Sequence, residues 1–388
     1  MNKNPKRILW ITNNWLSDFG GRKIVSKKIL KFLAHKKFSV TILDFEEHPP
    51  SKKDLKQYIQ LPKTIAFRSS VIQNNKEVIF KLLRYPNKNN LDIIICSTYA
   101  LIDILSIFTI RLFNLLPHTK IVLFENGNPL QDIRLSRFWH LYALMGKFFY
   151  PAFDFIITPG VSLRQMFINQ FGVTANKIYT IPQPIVSKQT SRLTSEPLSN
   201  KLFQQKKSKI IITSSRLILP SKDFPTLFKA IKIVFNKVDA VLAILGTGPH
   251  RRKIEALAKR LKLENRIFFL GFRKNPFKYL AKSDVFVLSS LHEGAPLVLV
   301  EAMACRIPVV ASDCDFGPRD ILENGKNGIL VPIGDQYSMA EAIIKLLNNE
   351  KLRQEFIAKG KVKSQHYLEE KSLKAWYDFL QSLNYDKT

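Results

Sequence analysis

The chain has 388 residues, a length that is long for one globular domain and fits two. Hydrophobic residues make up 46% of it and charged residues 23%, so the composition predicts sizeable cores and excludes a largely disordered chain. Lys and Arg number 60 against 31 Asp and Glu, and the net charge of +29 indicates an anionic partner such as nucleic acid, a membrane surface or an acidic acceptor. An ordinary basic protein is the alternative.

The N-terminus and the cysteines bear on the compartment. Residues 1–15 lack the apolar core and the small-residue cleavage site of a signal peptide. The most apolar run, residues 99–116, contains Asp103 and Arg111 and is short for a membrane span, so a buried or interfacial helix is expected there. Three scattered cysteines are too few for a disulfide framework or a zinc site. The cytosol is therefore the expected compartment.

Apolar runs alternate with amphipathic stretches along the chain, which predicts βα units and parallel sheets. In the first half, strands are predicted at residues 7–12, 40–45, 92–96, 120–125, 155–159 and 177–182. After a polar linker near residues 187–207, they are predicted at 209–214, 240–245, 266–271, 285–290, 308–312 and 328–332. The fold class is therefore α/β.

Two successive α/β halves predict two Rossmann-like domains that face each other across a cleft. The N-terminal domain is expected at residues 1–190 and the C-terminal domain at 191–365. A last helix, within residues 366–388, is expected to pack back toward the N-terminal domain. Ligands are expected in the cleft, because strand C-termini and helix N-termini point there.

A glycine pair follows the first strand, in the stretch NNWLSDFGGRKIV. Gly20 and Gly21 lie where a strand turns into a helix, and glycine allows a substrate to approach the backbone closely. The pair does not form a GxGxxG fingerprint. A simple tight turn is as good an interpretation as a substrate-binding loop.

A strongly basic helix is predicted next, at residues 24–36, with Val25, Ile29, Phe32 and Leu33 on its apolar face. With its flanking residues, in the stretch 22–37, it carries Arg22, Lys23, Lys27, Lys28, Lys31, Lys36 and Lys37. A solvated face is the usual explanation of such a charge run. Attraction to an anionic leaflet contributes about 1 kcal/mol per well-placed Lys or Arg, so peripheral membrane contact is the favoured interpretation. No nucleic-acid-binding pattern accompanies the charge, and nucleic acid is not expected as a partner.

Two cations follow the first strand of the second half, in SSRLILPSKDFPTLFKA. Arg216 and Lys222 would stabilise the negative charge of a leaving nucleoside diphosphate. Solvated surface is the alternative in so basic a chain. Further along, Gly246 and Gly248 end another strand in GTGP, and Phe272 ends the next one in LGF. In the functional interpretation, both stretches make backbone contacts to a nucleotide. The alternatives are a flexible turn for GTGP and a hydrophobic strand end for LGF.

The most informative stretch is LHEGAPLVLVEAMACRIPVVASD, in which Glu293 and Glu301 stand eight residues apart. Pro296 suits the first turn of a helix, so Glu293 would precede this helix and Glu301 would lie inside it. The free backbone N–H groups of Gly294, Ala295 and Leu297 make a phosphate site at this helix start, and Pro296 belongs to the same predicted binding stretch. The two carboxylates would accept hydrogen bonds from the hydroxyl pairs of a sugar and of a ribose. The site would therefore fit a nucleotide sugar.

A metal site is not expected. Asp313 and Asp315 have the Asp-x-Asp form that can hold a divalent cation on a diphosphate, but nothing near them in the sequence completes such a site. The seven histidines are isolated and show no ligand spacing.

These motifs together resemble the retaining GT-B glycosyltransferases of family 4, also called glycosyl transferases group 1. The resemblance is strongest from about Ile210 to Pro332, where the E-x7-E stretch and FGPRDILENGKNGILVP are typical of the family. It implies a GT-B fold, with Arg216 and Lys222 on the diphosphate. It also implies that Glu293 contacts the donor sugar and that Glu301 holds the ribose hydroxyls.

The resemblance implies a hexosyl-type transfer from a nucleoside diphosphate sugar, with UDP favoured, to a lipid-linked or growing glycan acceptor. From the resemblance we also expect retention of configuration and no metal or other cofactor. We further expect a place in bacterial cell-surface polysaccharide or lipopolysaccharide synthesis. The expected location is the inner face of the membrane, with the donor in the C-terminal domain and the acceptor in the N-terminal domain.

The sequence departs from the family pattern in the first domain. Many members carry a histidine after the strand equivalent to residues 120–125, where this chain reads FENGNPLQD. Asn126 is the candidate to donate a hydrogen bond to the sugar in its place. Arg22 and Lys23 also follow the glycine pair where small and acidic residues are common.

Three rival functions remain open at this point. A GT-B-related UDP-sugar epimerase would hold the same nucleotide, and a GT-A transferase would use Asp313 and Asp315 with a metal. A basic, non-enzymatic binding protein would explain the charge but would leave the two glutamates without a role.

Overall fold

The structure is a computed structural model that describes residues 6–13, 21–46, 65–71, 91–97, 111, 116–129, 139–204 and 208–383. The chain divides into two compact units. Unit 1 comprises Met1–Pro184 and Ser372–Thr388, and unit 2 comprises Ile185–Lys371. The boundaries predicted at residues 190 and 365 lie near these divisions without coinciding with them.

Unit 1 is built on a parallel sheet of seven strands in the order β3-β2-β1-β4-β5-β6-β7. Its strands are β1 (Arg7–Asn13), β2 (Ser39–Glu46), β3 (Ile65–Val71), β4 (Ile93–Cys96), β5 (Lys120–Phe124), β6 (Phe155–Thr158) and β7 (Ile178–Thr180). Six of them were predicted from apolar runs. The seventh, β3, was missed because its sequence IAFRSSV carries three polar residues, which an edge strand paired only with β2 tolerates.

The helices described in unit 1 are α1 (Gly21–His35), α2 (Trp139–Phe149) and α3 (Val161–Phe171). In α1, Val25, Ile29 and Leu33 are buried as predicted. Leu30 is also fully buried, whereas Phe32 is only partly buried, so the apolar stripe of α1 lies slightly off the predicted face.

Unit 2 is built on a parallel sheet of six strands in the order β10-β9-β8-β11-β12-β13. Its strands are β8 (Lys209–Ser214), β9 (Ala240–Leu245), β10 (Ile267–Gly271), β11 (Val285–Leu288), β12 (Val309–Ser312) and β13 (Ile329–Val331). All six were predicted. This is the doubly wound strand order, in which the direction of progression along the sheet reverses between β8 and β11.

Ten helices complete the described part of unit 2 and lead out of it. They are α4 (Thr190–Ser195), α5 (Lys201–Gln204), α6 (Phe224–Lys237), α7 (Arg251–Arg260), α8 (Phe277–Leu280), α9 (Leu297–Ala304), α10 (Pro318–Leu322), α11 (Gln336–Asn348), α12 (Glu350–Ser364) and α13 (Glu369–Ser382). The stretch predicted to be a polar linker, near residues 187–207, contains α4 and α5 and packs onto the rest of unit 2. Asn275 donates to Leu193 O at 2.9 Å, and the rings of Phe203 and Tyr279 lie 5.4 Å apart.

Helix α13 begins in unit 2, and its residues from Ser372 onward belong to unit 1. Trp376 is 1% exposed, and its ring centroid lies 5.9 Å from that of Trp10 and 4.8 Å from that of Phe124. Lys6 Nζ donates to Leu380 O at 2.9 Å. The helix therefore packs against β1 and β5 and completes the core of unit 1.

Most of the apolar run at residues 99–116 lies outside the described residues, so its predicted helix is not described here. Arg111 is described and donates to Leu116 O at 3.3 Å and to Thr119 O at 3.1 Å. Among the helices that the structure describes, none is both long and apolar enough to cross a membrane.

Candidate active site

The predicted donor-site residues gather at the carboxyl end of the unit 2 sheet, at the point where the strand order reverses. Residues 215–223 follow β8, and residues 289–296 follow the neighbouring strand β11. Ligands of open α/β sheets bind at such a reversal, because the loops after the two strands diverge there. The backbone joins the two loops, since Asp223 N donates to Ser289 O at 3.1 Å and Leu291 N to Ser221 O at 2.9 Å.

The loop that carries Arg216 rests directly on the GTGP turn. Leu217 N donates to Thr247 O at 3.0 Å, and His250 N donates to Leu217 O at 3.1 Å. A Cβ atom at Gly246 would lie 1.9 Å from Ser215 O, and one at Gly248 would lie 2.5 Å from Leu217 O. This close approach of two backbones explains both glycines. The predicted contact of Gly246 and Gly248 with a nucleotide stays a prediction.

We expect Gly248→Ala to destabilise unit 2 by about 1–3 kcal/mol, because the clashing atoms belong to the backbone of Leu217 and cannot rotate away. Activity at the predicted nucleotide-sugar site should fall with it, since Arg216 directly precedes Leu217 in the displaced loop. Urea denaturation and steady-state kinetics measure the two effects. The exposed neighbour Thr247 provides the control, because Thr247→Ala keeps the carbonyl that bonds Leu217 and should change neither quantity. Equal stability of both variants would contradict the packing argument.

Lys222 and Glu293 form an ion pair between the two loops. Lys222 Nζ contacts Glu293 Oε1 and also lies 3.3 Å from Ser290 Oγ, which itself donates to Glu293 Oε1 at 2.6 Å. The side chains are 22% and 11% exposed, so both charges are largely removed from water. Of the predicted site residues, the structure therefore brings Lys222, predicted to be catalytic, and Glu293, predicted to contact the sugar, into direct contact. Ser290 was not predicted, although its place after β11 is a signal that could have found it.

Arg216 differs from Lys222 in its surroundings. Its side chain is exposed, and it makes no ion pair with any residue that the structure describes. The guanidinium is thus available to an incoming anion without the rupture of an existing contact.

The E-x7-E stretch has the predicted order of elements, with Glu293 before α9 and Glu301 within it. Pro296 was predicted in the first helical turn, and this is wrong by one position: Pro296 occupies the N-cap and α9 begins at Leu297. No side chain caps this helix start. In the described part of the chain, the N–H groups of Gly294, Ala295 and Leu297 have no backbone acceptor, as a phosphate site requires.

Gly317 packs closely against this helix start, and the sequence analysis assigned it no role. Its φ is +85°, and a Cβ atom there would lie 2.3 Å from Pro296 Cδ and 2.8 Å from Gly294 O. Pro318 follows at the start of α10. The FGPRD stretch therefore packs against the predicted phosphate loop, and its Gly-Pro pair was the available signal.

The Asp-x-Asp stretch is engaged in other contacts. Asp313 accepts two hydrogen bonds from Arg319, at 2.6 and 2.7 Å. Cys314 is fully buried between the two aspartates, and burial together with the charge of Glu293 raises the pKa of its thiol to about 12. The thiol of Cys314 therefore stays neutral, within reach of the charges of Glu293 and Lys222.

The remaining predicted residues lie at the same end of the unit 2 sheet, in unit 1, or outside the described part. Phe272, which follows β10, is 48% exposed at the same end of the sheet, and its contact with a base stays a prediction. Gly20 lies outside the described residues, while Gly21 is the exposed first residue of α1. In α1, Lys28 donates to Pro184 O at 2.9 Å, whereas Lys31 is exposed.

Asn126 follows β5 in unit 1 and is buried, with 8% of its surface exposed. Its Oδ1 accepts a hydrogen bond from Gln183 Nε2, and its Nδ2 has no partner among the described residues. The expected free donor is therefore present, although it is enclosed. Gln183 was not predicted.

The chain has two doubly wound parallel sheets, and the predicted donor site lies at the strand reversal of the second sheet. This combination defines the GT-B class of fold. Two family models match the chain in succession: Glycosyltransferase Family 4 at residues 19–188, and Glycosyl transferases group 1 at residues 195–363. The chain therefore belongs to the GT-B glycosyltransferases of family 4, group 1, and the predicted family, fold class and enzyme class are confirmed.

Individual relatives agree with this membership. An uncharacterized glycosyltransferase of Methanocaldococcus jannaschii is 28% identical over 69% of this chain and 73% of its own length. The N-acetylgalactosamine-N,N'-diacetylbacillosaminyl-diphospho-undecaprenol 4-alpha-N-acetylgalactosaminyltransferase of Campylobacter jejuni is 29% identical over 64% of this chain and 66% of its own. The solved structure of Anabaena HepE with UDP and glucose is similar in fold, with a TM-score of 0.73, 21% identity, and coverage of 97% of this chain and all of that one.

Proposed function

We propose that this chain transfers a sugar from a UDP-sugar to a lipid-linked or growing glycan acceptor, with retention of configuration, in bacterial cell-surface polysaccharide or lipopolysaccharide synthesis. The observation that carries the proposal is the Lys222–Ser290–Glu293 network beside an uncapped helix start. The named Campylobacter relative, which acts on a diphospho-undecaprenol acceptor, and the UDP complex of Anabaena HepE support the choice of acceptor and donor.

In this proposal the diphosphate binds at the N-terminus of α9, against the N–H groups of Gly294, Ala295 and Leu297. Arg216 approaches it from the solvent side, and Lys222 shares its charge between the phosphate and Glu293. Fixed cations of this kind stabilise the negative charge that develops as the glycosidic bond to the diphosphate breaks. The reaction therefore depends on positioning and electrostatics.

The two carboxylates then recognise hydroxyl groups. Glu293 keeps one oxygen on Lys222 and Ser290, and its remaining acceptor capacity serves the donor sugar. Glu301 lies eight residues further along the chain, inside α9, and serves the ribose hydroxyls. The leaving diphosphate assists deprotonation of the acceptor on the same face, which gives retention without a protein nucleophile.

We also propose that the reaction proceeds without a metal. The Asp-x-Asp carboxylate nearest to a strand end, Asp313, already forms a bidentate pair with Arg319. The fixed positive groups of the site take the place that a cation would have on the diphosphate. Activity should therefore be equal with and without a chelator, and loss of activity with the chelator would contradict this part.

A peripheral location on the inner face of the membrane is part of the proposal. The net charge of +29 and the exposed Lys31, Lys36 and Lys37 at the end of α1 support attraction to an anionic leaflet. Co-sedimentation with vesicles of anionic lipid, compared with neutral vesicles and with raised salt, tests it.

A thermal-shift screen of UDP, GDP and their sugars tests the donor, because a ligand that binds only the folded state raises the melting temperature. We expect Glu301→Ala to weaken UDP binding by about 10–100-fold, the effect of losing hydrogen bonds to a charged acceptor. The sharper readout is discrimination: the natural protein should prefer UDP to 2′-deoxy-UDP, and the variant should bind both alike.

The exposed Glu341 of α11 provides the control, since Glu341→Ala should keep both the affinity and the preference. A Glu301→Ala variant that still prefers UDP would remove the ribose role from Glu301. Release of a free epimerised nucleotide sugar, with no transfer to any acceptor, would replace the transferase proposal by an epimerase.

A further inference from the structure

A buried pair of side-chain amides, Asn126 and Gln183, is left half satisfied in unit 1. Gln183 is 3% exposed and Asn126 8%, so both are almost entirely enclosed. Gln183 Nε2 donates to Asn126 Oδ1, while Asn126 Nδ2 and Gln183 Oε1 have no hydrogen-bond partner among the described residues. Among the buried side-chain atoms that the structure describes, four have no partner, and two of these four belong to this amide pair.

The kind of ligand group that would satisfy the pair does not depend on how the two amides are oriented. In the orientation described above, the atoms without a partner are a donor on Asn126 and an acceptor on Gln183. If both amides are rotated by half a turn, Asn126 donates to Gln183, and the free atoms are an acceptor on Asn126 and a donor on Gln183. In both cases the pair presents one N–H₂ donor and one carbonyl acceptor.

Such an arrangement is costly in the protein without a ligand. Each buried polar atom without a partner costs about 1–3 kcal/mol, and native proteins seldom keep two of them together without a reason. The cost is recovered when a group that both donates and accepts enters the site. A hydroxyl is the simplest group with that property, because it carries one donor and two acceptor lone pairs.

The position of the pair in the sheet agrees with a ligand site. Asn126 follows β5 and Gln183 follows β7, with β6 between these strands, so the amides lie at the carboxyl end of the parallel sheet. Their neighbours in sequence or sheet are engaged elsewhere: Glu125 accepts from Gly127 N at 2.8 Å, and Thr158 Oγ1 lies 3.3 Å from Thr180 Oγ1. Among the described side chains that follow these strands, the two amides are the ones with buried polar atoms that lack a partner.

We propose that Gln183 is a substrate-binding residue, and that Asn126 and Gln183 together bind one sugar hydroxyl, which accepts from the free amide N–H and donates to the free amide carbonyl. This inference rests on the proposed sugar transfer and deepens it. The hydroxyl belongs either to the transferred sugar or to the acceptor glycan, and the experiment separates the two.

The test variant replaces both amides by apolar side chains of similar shape, in Asn126→Leu/Gln183→Met. Because an unsatisfied polar pair is removed, the melting temperature of the ligand-free protein should stay or rise. The kcat/KM for transfer should fall by about 10–100-fold, the loss expected when two hydrogen bonds to one hydroxyl are removed. A purely structural pair predicts the opposite: a lower melting temperature with unchanged kinetics.

Two kinetic arms identify the source of the hydroxyl. If it belongs to the donor sugar, hydrolysis of the UDP-sugar without acceptor should fall as much as transfer does. If it belongs to the acceptor, hydrolysis should be unchanged and the loss should appear only in transfer. Binding of UDP alone, which carries no sugar to transfer, should be unchanged in both cases.

The exposed amide pair of α3 is a matched control, since Gln165 Nε2 donates to Asn169 Oδ1 at 2.9 Å in solvent. The variant Gln165→Met/Asn169→Leu should change neither kinetics nor melting temperature. A test double variant with unchanged transfer and hydrolysis would overturn the proposal and assign an enclosed water to the pair.

A second measurement does not need the variants to fold or the natural protein to turn over. In ¹⁵N-labelled natural protein, the side-chain amide resonances of Asn126 and Gln183 should shift on addition of glucose, galactose or N-acetylglucosamine. If no nucleotide sugar binds at all, the proposed transfer fails while this titration still tests the amide pair. If the two side-chain amide resonances do not shift with any of the three sugars, the inference is overturned.

Discussion

Arg216→Ala is expected to lower kcat/KM for sugar transfer by about 10²–10³-fold and to leave the free energy of unfolding within about 0.5 kcal/mol of its natural value. The two effects separate because the Arg216 side chain is exposed and makes no ion pair with a described residue, so the fold does not depend on it. The loss of turnover follows from its place after β8, where a diphosphate would accumulate charge as it leaves. Steady-state kinetics and urea denaturation measure the two quantities.

The specificity of this loss can be checked with another arginine of unit 2. Arg252 of α7 is also exposed, and Arg252→Ala removes the same charge at a distance in sequence from the strand reversal. It should retain nearly full activity and the same affinity for UDP. If both variants lose activity equally, the effect of Arg216 is one of overall charge and the diphosphate assignment is wrong.

Lys222→Met should lower turnover by a similar factor and, in contrast to Arg216→Ala, should also destabilise the protein by roughly 3 kcal/mol. The reason is the 11% exposed Glu293, which would lose its cationic partner in a largely dry site and keep only Ser290 beside it. Removal of one member of a buried pair costs more than removal of both. The double variant Lys222→Met/Glu293→Gln should therefore recover most of the lost stability.

Recovered stability should not bring recovered turnover, because the diphosphate and the sugar each lose a contact in the double variant. A full cycle of the two single variants and the double variant, measured by denaturation and by kinetics, gives the coupling energy for each property. A coupling energy near zero in denaturation would mean that the ion pair adds no stability. Restored turnover in the double variant would remove both residues from the reaction.

The strands were predictable from sequence because parallel strands buried on both faces are continuous apolar runs, and each run shows itself locally. IIIC in β4 and VFVL in β11 are examples in which every residue is buried. The exception, β3, lies at a sheet edge and carries Arg68, Ser69 and Ser70, so its sequence lacks the apolar run. Its pairing with β2 makes it a strand.

The individual site residues were predictable where a motif carries them, but their contacts were not. Glu293 and Lys222 are 71 positions apart, and nothing local in the sequence indicates that they form an ion pair. Gln183 was missed for the same reason, since its partner Asn126 is 57 positions away and the stretch IPQP has no motif around it. Gly246 and Gly248 were noticed, yet their closeness to Ser215 and Leu217 depends on the neighbouring strand order.

Helix α13 has a consequence for the order of events during synthesis. Trp376, which fills the space between Trp10 and Phe124, leaves the ribosome long after the strands it covers. Until then, the first sheet has an uncovered aromatic surface, whereas the second unit already has its whole chain. We therefore expect the unit that starts first to finish folding last. A chain cut after Lys371 should leave Trp10 exposed to water, which its fluorescence reports, and should bind chaperones while unit 2 is already compact.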